Sequence, residues 1–195
     1  GCGFLNADRA TLTTGKPMVG PDGGIGFDVA GGKLRVEGAG LNGANLSRVD
    51  LMARTLEINA GIWADQLHVT AGAAKVDYAT GAVSAGQGEG PAPTVALDTA
   101  ALGGMYANSI RLVGTEAGVG VNVGGNLVAL TGNLEVSAAG DVKITPSGTM
   151  QAARDVRVAA GRDVAVEGRA QGAGAVALTA GRDAAVTGAV SAGQA

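Results

Sequence analysis

Hydrophobic and polar residues alternate along most of the chain, in short segments that end at glycine or asparagine. Each segment places two or three aliphatic side chains on one face, which is the period-two pattern of a β-strand. No long run has the apolar spacing of an amphipathic helix, and glycine recurs too often for helix interiors. The clearest strand patterns are residues 33–38 (KLRVEG), 55–61 (TLEINAG), 66–72 (QLHVTAG), 109–114 (SIRLVG) and 133–140 (NLEVSAAG). The sequence therefore predicts an all-β protein.

The C-terminal third repeats itself. Residues 154–168 are followed by a second copy at residues 175–188, which aligns at an offset of twenty, and residues 133–144 precede the first copy at an offset of twenty-two. A fixed period near twenty indicates a solenoid. Short strands with glycine corners indicate a parallel β-helix, in which main-chain hydrogen bonds stack the coils. At about twenty residues per coil and about 4.8 Å between coils, we expect about nine or ten coils in a rod of about 45 Å.

Composition agrees with a narrow solenoid. Glycine accounts for 35 of 195 residues, aromatic residues for 3 % and charged residues for 16 %, whereas apolar residues reach 46 %. Corners need glycine, a narrow lumen takes small side chains, and this apolar content argues against disorder. The net charge of −3, with 14 scattered basic residues, gives no basic face for nucleic acid. No apolar run is long enough to span a membrane.

Two places depart from the regular pattern. The sequence opens on glycine without a signal-peptide pattern, and Cys2 is the only cysteine. We therefore expect a piece of a longer chain, with no internal disulfide and with any cysteine partner upstream. Residues 84–94 (SAGQGEGPAPT) contain two prolines and no alternation, so we expect a loop that leaves the coil surface.

Four stretches in order carry a family resemblance. They are residues 1–17 (GCGFLNADRATLTTGKP), 26–42 (GFDVAGGKLRVEGAGLN), 48–78 (RVDLMARTLEINAGIWADQLHVTAGAAKVDY) and 101–122 (ALGGMYANSIRLVGTEAGVGVN). These residues resemble the amino-terminal secretion domain of two-partner-secretion exoproteins, a group that includes filamentous haemagglutinins, large adhesins and contact-dependent growth-inhibition proteins of Gram-negative bacteria. After residue 122 the AGRDV-type coils resemble the haemagglutinin repeats that form the shaft in that family.

The resemblance implies a right-handed parallel β-helix, with the later part of the secretion domain in residues 1–125 and haemagglutinin-type repeats in residues 126–195. It implies export to the periplasm, passage through a dedicated outer-membrane β-barrel transporter, and display at the cell surface or secretion. It also implies a scaffold without enzymatic activity or cofactor, which we expect to be a monomer. Any toxin or receptor-binding region would lie downstream, outside this sequence.

A carbohydrate-active or carbohydrate-binding β-helix is the alternative. Such sites need clustered carboxylates beside aromatic side chains, and the best candidates are Asp65 and Asp77 with Trp63 and Tyr78. Little else in the chain supports this chemistry, because aromatic residues are so few.

The other chemistry-bearing residues have simpler interpretations. Residues 23–28 (GGIGFD) match the first part of a calcium nonapeptide, but without a tandem copy they predict a turn into a strand. Three aspartates recur once per coil, and we expect surface corners with interleaved arginines rather than a cation ladder. His68 should point outward as an exposed coil residue, and one cysteine with one histidine cannot form a zinc site. We therefore assign no catalytic, cofactor-binding or metal-binding residue. The three aspartates are Asp141, Asp163 and Asp183, interleaved with Arg162 and Arg182.

Overall fold

The protein is a stack of parallel β-strands wound into a solenoid, together with one small antiparallel sheet. The computed structural model describes residues 2–4, 6–21, 23–100 and 102–193. All regular elements in these residues are β-strands. No helix in the described part of the chain is long and apolar enough to cross a membrane.

The first wall of the solenoid is a parallel sheet of twelve strands, which we call the long sheet. Its strands are β1 (Cys2–Gly3), β2 (Arg9–Thr13), β6 (Leu41–Ala53), β8 (Gly61–Ala71), β12 (Gly104–Gly114), β14 (Asn126–Ala129), β15 (Leu134–Ala138), β17 (Thr149–Ala152), β18 (Val156–Ala160), β20 (Arg169–Gly172), β21 (Val176–Ala180) and β23 (Ala189–Ala192). The early strands β6, β8 and β12 run across the whole wall, whereas later coils divide it between two shorter strands.

The second wall is a parallel sheet of seven strands, which we call the short sheet. Its strands are β5 (Lys33–Val36), β7 (Thr55–Ile58), β11 (Val95–Thr99), β13 (Gly120–Val123), β16 (Val142–Ile144), β19 (Val164–Val166) and β22 (Ala184–Val186). With one strand per coil, the described residues form seven coils and a stack of about 30 Å. The expected nine or ten coils were wrong, because the early coils are longer than twenty residues.

The C-terminal coils have the predicted register. Val156 lies opposite Val176 and Val158 opposite Leu178, at the offset of twenty. Leu134 lies opposite Val156 at the offset of twenty-two. The parallel β-helix predicted from the repeat is thus confirmed in these coils.

Inward-facing aliphatic side chains fill the lumen. Leu51, Val69, Leu112, Val136 and Val158 stack in register from β6 to β18, and each is at most 2 % exposed. Burying a side chain of this size stabilises the fold by about 1.5–3 kcal/mol. Because each coil covers the next, the stack gains this burial step by step along its length.

The third sheet lies outside the solenoid, and we call it the extrahelical sheet. Its four antiparallel strands are β3 (Lys16–Val19), β4 (Ile25–Val29), β9 (Ala74–Asp77) and β10 (Val83–Ala85). Residues 23–28 form a turn and most of β4, as predicted, and Gly23 has a φ of +80°. The predicted loop at 84–94 needs a correction, because Ser84 and Ala85 belong to β10 and pair with β9.

Candidate functional site

The extrahelical sheet docks its apolar face on the outer surface of the long sheet. Val29, Ala74 and Val76 of the extrahelical sheet pack with Met52 of β6 in a core separate from the lumen. These four side chains are at most 3 % exposed. The docking therefore shields part of the outer surface of the long sheet from solvent.

Charged side chains from successive strands lie beside this apolar core. Arg9 is on β2, Arg48 and Asp50 on β6, His68 on β8 and Arg111 on β12, and we call these five residues the arginine cluster. Parallel register places Asp50 opposite His68, and His68 opposite Arg111. Stacking of coils therefore brings together residues that are up to 102 positions apart.

Asp50 is the centre of the arginine cluster. Its side chain is 0 % exposed, and it accepts hydrogen bonds from Arg9 Nε at 2.6 Å and from Arg48 Nε at 2.7 Å. A buried carboxylate is costly unless it is paired and hydrogen-bonded. The Arg9 and Arg48 guanidinium groups, from β2 and β6, supply this pairing.

Two arginines of the cluster, Arg9 and Arg111, also bind the turn at residues 78–81 of the extrahelical sheet. Arg9 Nη1 donates to the Tyr78 carbonyl at 2.6 Å, and the Arg9 guanidinium lies 3.8 Å from the centre of the Tyr78 ring. Arg111 Nη1 donates to the Gly81 carbonyl at 3.1 Å. Gly81 has a φ of +70°, and a Cβ there would lie 2.7 Å from Arg48 Nη2. The positive φ therefore favours glycine at this position.

His68 needs a correction. The sequence predicted an exposed residue that points outward, and the side chain does leave the lumen, but the extrahelical sheet leaves it only 25 % exposed. Its Nδ1 lies 3.8 Å from Asp50 Oδ1. Burial, followed by the positive charge of Arg48, lowers the pKa of His68 to about 4. His68 is therefore neutral at physiological pH.

A second buried ion pair, Arg54 with Glu116, lies at the corner after β6. Arg54 is 7 % exposed and donates from Nη2 to Glu116 Oε1 at 2.6 Å, and from Nη1 to the Glu89 carbonyl. This hydrogen-bonded pairing raises the pKa of Arg54 and lowers that of Glu116. Glu89 N also donates to the Ala30 carbonyl at 2.8 Å. Residues around Glu89 are therefore tied to the coil, whereas the sequence predicted that they leave its surface.

The proposed carbohydrate residues are not assembled into one site. Asp65 accepts a hydrogen bond from Asn108 of the next coil, at 2.5 Å, whereas Asp77 accepts from Thr80 in its own turn. Their aromatic neighbours also differ, because Trp63 stacks on Tyr106 while Tyr78 packs edge-on against Phe27. Among the described residues, no group of three or more His, Cys, Asp or Glu side chains could hold a metal ion.

The recurring aspartates form capped surface corners, with the predicted interleaved arginines. Asp163 pairs with Arg182, which lowers the pKa of the Asp163 carboxyl. Asp141 Oδ1 accepts from the backbone N–H of Asp163 at 3.1 Å, and Asp163 Oδ1 accepts from that of Asp183 at 3.3 Å. The carboxylates of Asp141 and Asp163 therefore each accept a hydrogen bond from a donor of the following coil. The expectation for the Cys2 side chain lies outside the described part of the structure, which gives only the backbone of this residue, in β1.

Comparisons with known proteins give one consistent family. The model of the TPS secretion domain matches residues 1–144. The chain is 48 % identical to the 16S rRNA endonuclease CdiA of Enterobacter cloacae over 178 residues, which cover 87 % of this chain and 5 % of that protein. It is 51 % identical to the tRNA nuclease CdiA-2 of Burkholderia pseudomallei over 141 residues, which cover 72 % of this chain and 4 % of that protein.

A solved structure has the same fold. The crystal structure of a filamentous hemagglutinin secretion domain superposes with a TM-score of 0.71 at 28 % identity, covering 98 % of this chain and 62 % of that one. The chain therefore spans a small part of the length of the CdiA relatives, and most of the length of the solved domain.

Proposed function

The chain belongs to the TPS secretion domain family, and we propose that it is the export module of a large exoprotein of a Gram-negative bacterium. The observation that carries this proposal is the family match over residues 1–144, on a β-helix with an extrahelical sheet. The full protein would be a surface adhesin or a contact-dependent inhibition protein. The matched relatives bear nuclease and toxin names, but this chain covers only 5 % or less of the first two. Those activities would therefore reside elsewhere in the protein.

The partner of this module would be an outer-membrane β-barrel transporter of the two-partner type. The chain would cross the periplasm, pass through the transporter and reach the cell surface or the medium. The module would act as a monomer without cofactor or catalysis. Contacts with host cells or neighbouring bacteria would be made by regions outside residues 1–195.

The two parts of the chain would have different tasks. Residues 1–125 hold the extrahelical sheet, the arginine cluster and the Arg54–Glu116 ion pair, and we assign them to the secretion domain. Residues 126–195 hold regular coils of twenty to twenty-three residues and would begin the shaft. Because each coil is stabilised chiefly by its neighbour, folding can propagate coil by coil as the chain emerges and so favour its exit.

Transporter dependence tests the proposal. The full-length exoprotein should be expressed in a Gram-negative host with and without its transporter gene, and its surface fraction measured by protease treatment of intact cells. We expect protease-accessible exoprotein only when the transporter is present. Equal surface exposure without the transporter would contradict the proposed route.

A further inference from the structure

The extrahelical sheet joins two distant parts of the chain. Its strands β3 and β4 precede the solenoid strands β5 to β8 in the sequence, and β9 and β10 follow them. The two halves meet where β4 pairs with β9, with Val29 opposite Ala74 and Phe27 opposite Val76. This pairing encloses two strands of each solenoid wall in one closed loop. Because the entropy cost of closing a loop is offset only when the whole contact forms, the two halves form or open together.

The turn at residues 78–81 connects wall strands that do not pair with each other. Arg9 on β2 donates to the Tyr78 carbonyl, 69 positions away, and Arg111 on β12 donates to the Gly81 carbonyl, 30 positions away. The strands β2, β6, β8 and β12 are successive neighbours in the long sheet. The turn therefore links the first of these four strands to the last.

The Arg54–Glu116 ion pair makes a second long-range link. Arg54, at the corner after β6, donates to Glu116, which follows β12 and is 62 positions away. Glu116 Oε2 also accepts from the backbone N–H of Ala73, just before β9, at 3.2 Å. Removing one partner of a buried ion pair is strongly destabilising. The coils of β6 and β12 are thus tied together past the intervening strand β8.

The later coils have only neighbour contacts. From Asn126 onward, each described strand pairs only with strands of the preceding or the following coil, 20 to 23 positions away. In a solenoid of this kind the coil at an open end can open alone. Burial already decreases there, because Val166 is 0 % exposed whereas Val186, its counterpart in the last coil, is 49 % exposed.

We propose that the extrahelical sheet is a clasp that makes residues 9–116 one cooperative folding unit, whereas the coils from residue 126 onward open one by one from the C-terminal end. The clasp consists of the extrahelical sheet, Arg9, Arg111 and the Arg54–Glu116 pair. Because its contacts extend to Glu116, the first coils cannot close completely until that residue is available. The clasp stands on contacts within the chain, independently of the proposed role in export.

Native-state hydrogen exchange of the 195-residue chain tests the clasp, because it measures the opening free energy of each amide. Exchange should be followed by NMR at a series of low urea concentrations. A solenoid without a clasp would fray at both ends, at β2 as at β23. We expect instead that β2 and β12 have protection factors within about threefold of each other and the same urea dependence, and that protection falls at least about tenfold from β15 to β23. Protection that rises gradually from β2 to β12 would overturn the proposal.

Val76→Asn and Lys75→Asn form a matched pair on β9. Val76 is 3 % exposed and packs with Met52, whereas Lys75 is exposed on the other side of the strand. Val76→Asn places an amide in this apolar core and should undock the sheet, so that β2 exchanges at least about tenfold faster than β12. Lys75→Asn should leave the two strands equally protected. Equal protection of β2 and β12 in Val76→Asn would overturn the proposal.

A milder pair of variants keeps the apolar core intact. Arg111 and Arg157 are exposed arginines in the same outward row of the long sheet, and Arg111 donates to the turn at residues 78–81 whereas Arg157 pairs with Asp155. Arg111→Met removes one hydrogen bond of the clasp, so β2 should exchange about fivefold faster than β12. Arg157→Met should leave β2 and β12 equal. The same result in both variants would contradict the clasp.

Discussion

Acidification to pH 5 should weaken this fold through one side chain, His68. The pKa of His68 is about 4 in the folded protein and 6.5 in the unfolded chain, so the unfolded state binds the extra proton as the pH falls. The contribution of neutral His68 to the free energy of unfolding is therefore fully present above pH 6.5 and is lost between pH 6.5 and pH 4. Between pH 7 and pH 5 the two values give a loss of about 2 kcal/mol in the free energy of unfolding.

The pH window isolates His68 from the carboxylates. Glu116 and Asp163 also have lowered pKa values, caused by Arg54 and Arg182, but their contributions are lost mainly as the pH falls below about 5. Urea unfolding should be measured at several pH values from 7 to 5 at constant ionic strength. Gln has no charge at either pH, so His68→Gln should reduce the loss to a few tenths of a kcal/mol.

Two results would refute this reasoning. One is an equal loss of stability between pH 7 and pH 5 in the wild type and in His68→Gln. The other is an NMR titration of the folded protein that gives His68 a pKa near 6.5. Either would mean that the extrahelical sheet does not enclose the imidazole as the structure describes.

Two further substitutions test the Arg54–Glu116 ion pair and the stacking of the coils. Arg54→Met leaves the Glu116 carboxylate without its partner and should cost about 3 kcal/mol in urea unfolding, whereas adding Glu116→Gln should recover part of the loss; additive losses would contradict a direct pairing. Val158→Asp places a charge in the lumen, where Val158 is 1 % exposed, and should cost more than about 4 kcal/mol, with faster amide exchange in the neighbouring coils. Ala159→Asp, on the exposed side of the same strand, is the control and should change stability by less than about 0.5 kcal/mol; equal effects would contradict the inward register.

The regular coils could be predicted from the sequence because their paired strands are only twenty to twenty-three residues apart and repeat the same apolar positions. Residues 156–160 and 176–180 have the same inward positions, and the offset of twenty places Val156 opposite Val176. The early coils were not predictable in this way, because Leu56 and Leu97 are paired across 41 residues. That interval contains β9 and β10, which alternate as coil strands do but pair antiparallel outside the solenoid. Alternation alone does not tell which sheet a strand joins.

The arginine cluster was missed because each of its members has the pattern of an ordinary outward-facing residue. A signal was present in three segments, 48–51 (RVDL), 66–69 (QLHV) and 109–112 (SIRL), whose third positions become adjacent when their apolar positions are aligned. That alignment places Asp50 beside His68, and His68 beside Arg111. The burial of these residues could not be predicted from the alternation of apolar and polar positions, because the extrahelical sheet that covers them comes from distant parts of the chain.

The role of this segment in export is tested most directly by comparing two deletions in the full-length exoprotein, expressed with its transporter. One removes residues 1–125, and the other removes residues 156–175, a single coil whose loss joins Asp155 to Val176 in the same register. Surface-exposed exoprotein should be quantified on intact cells by protease accessibility. The account predicts that loss of residues 1–125 abolishes surface exposure and that loss of one coil leaves it unchanged. Surface exposure that survives without residues 1–125 would contradict it.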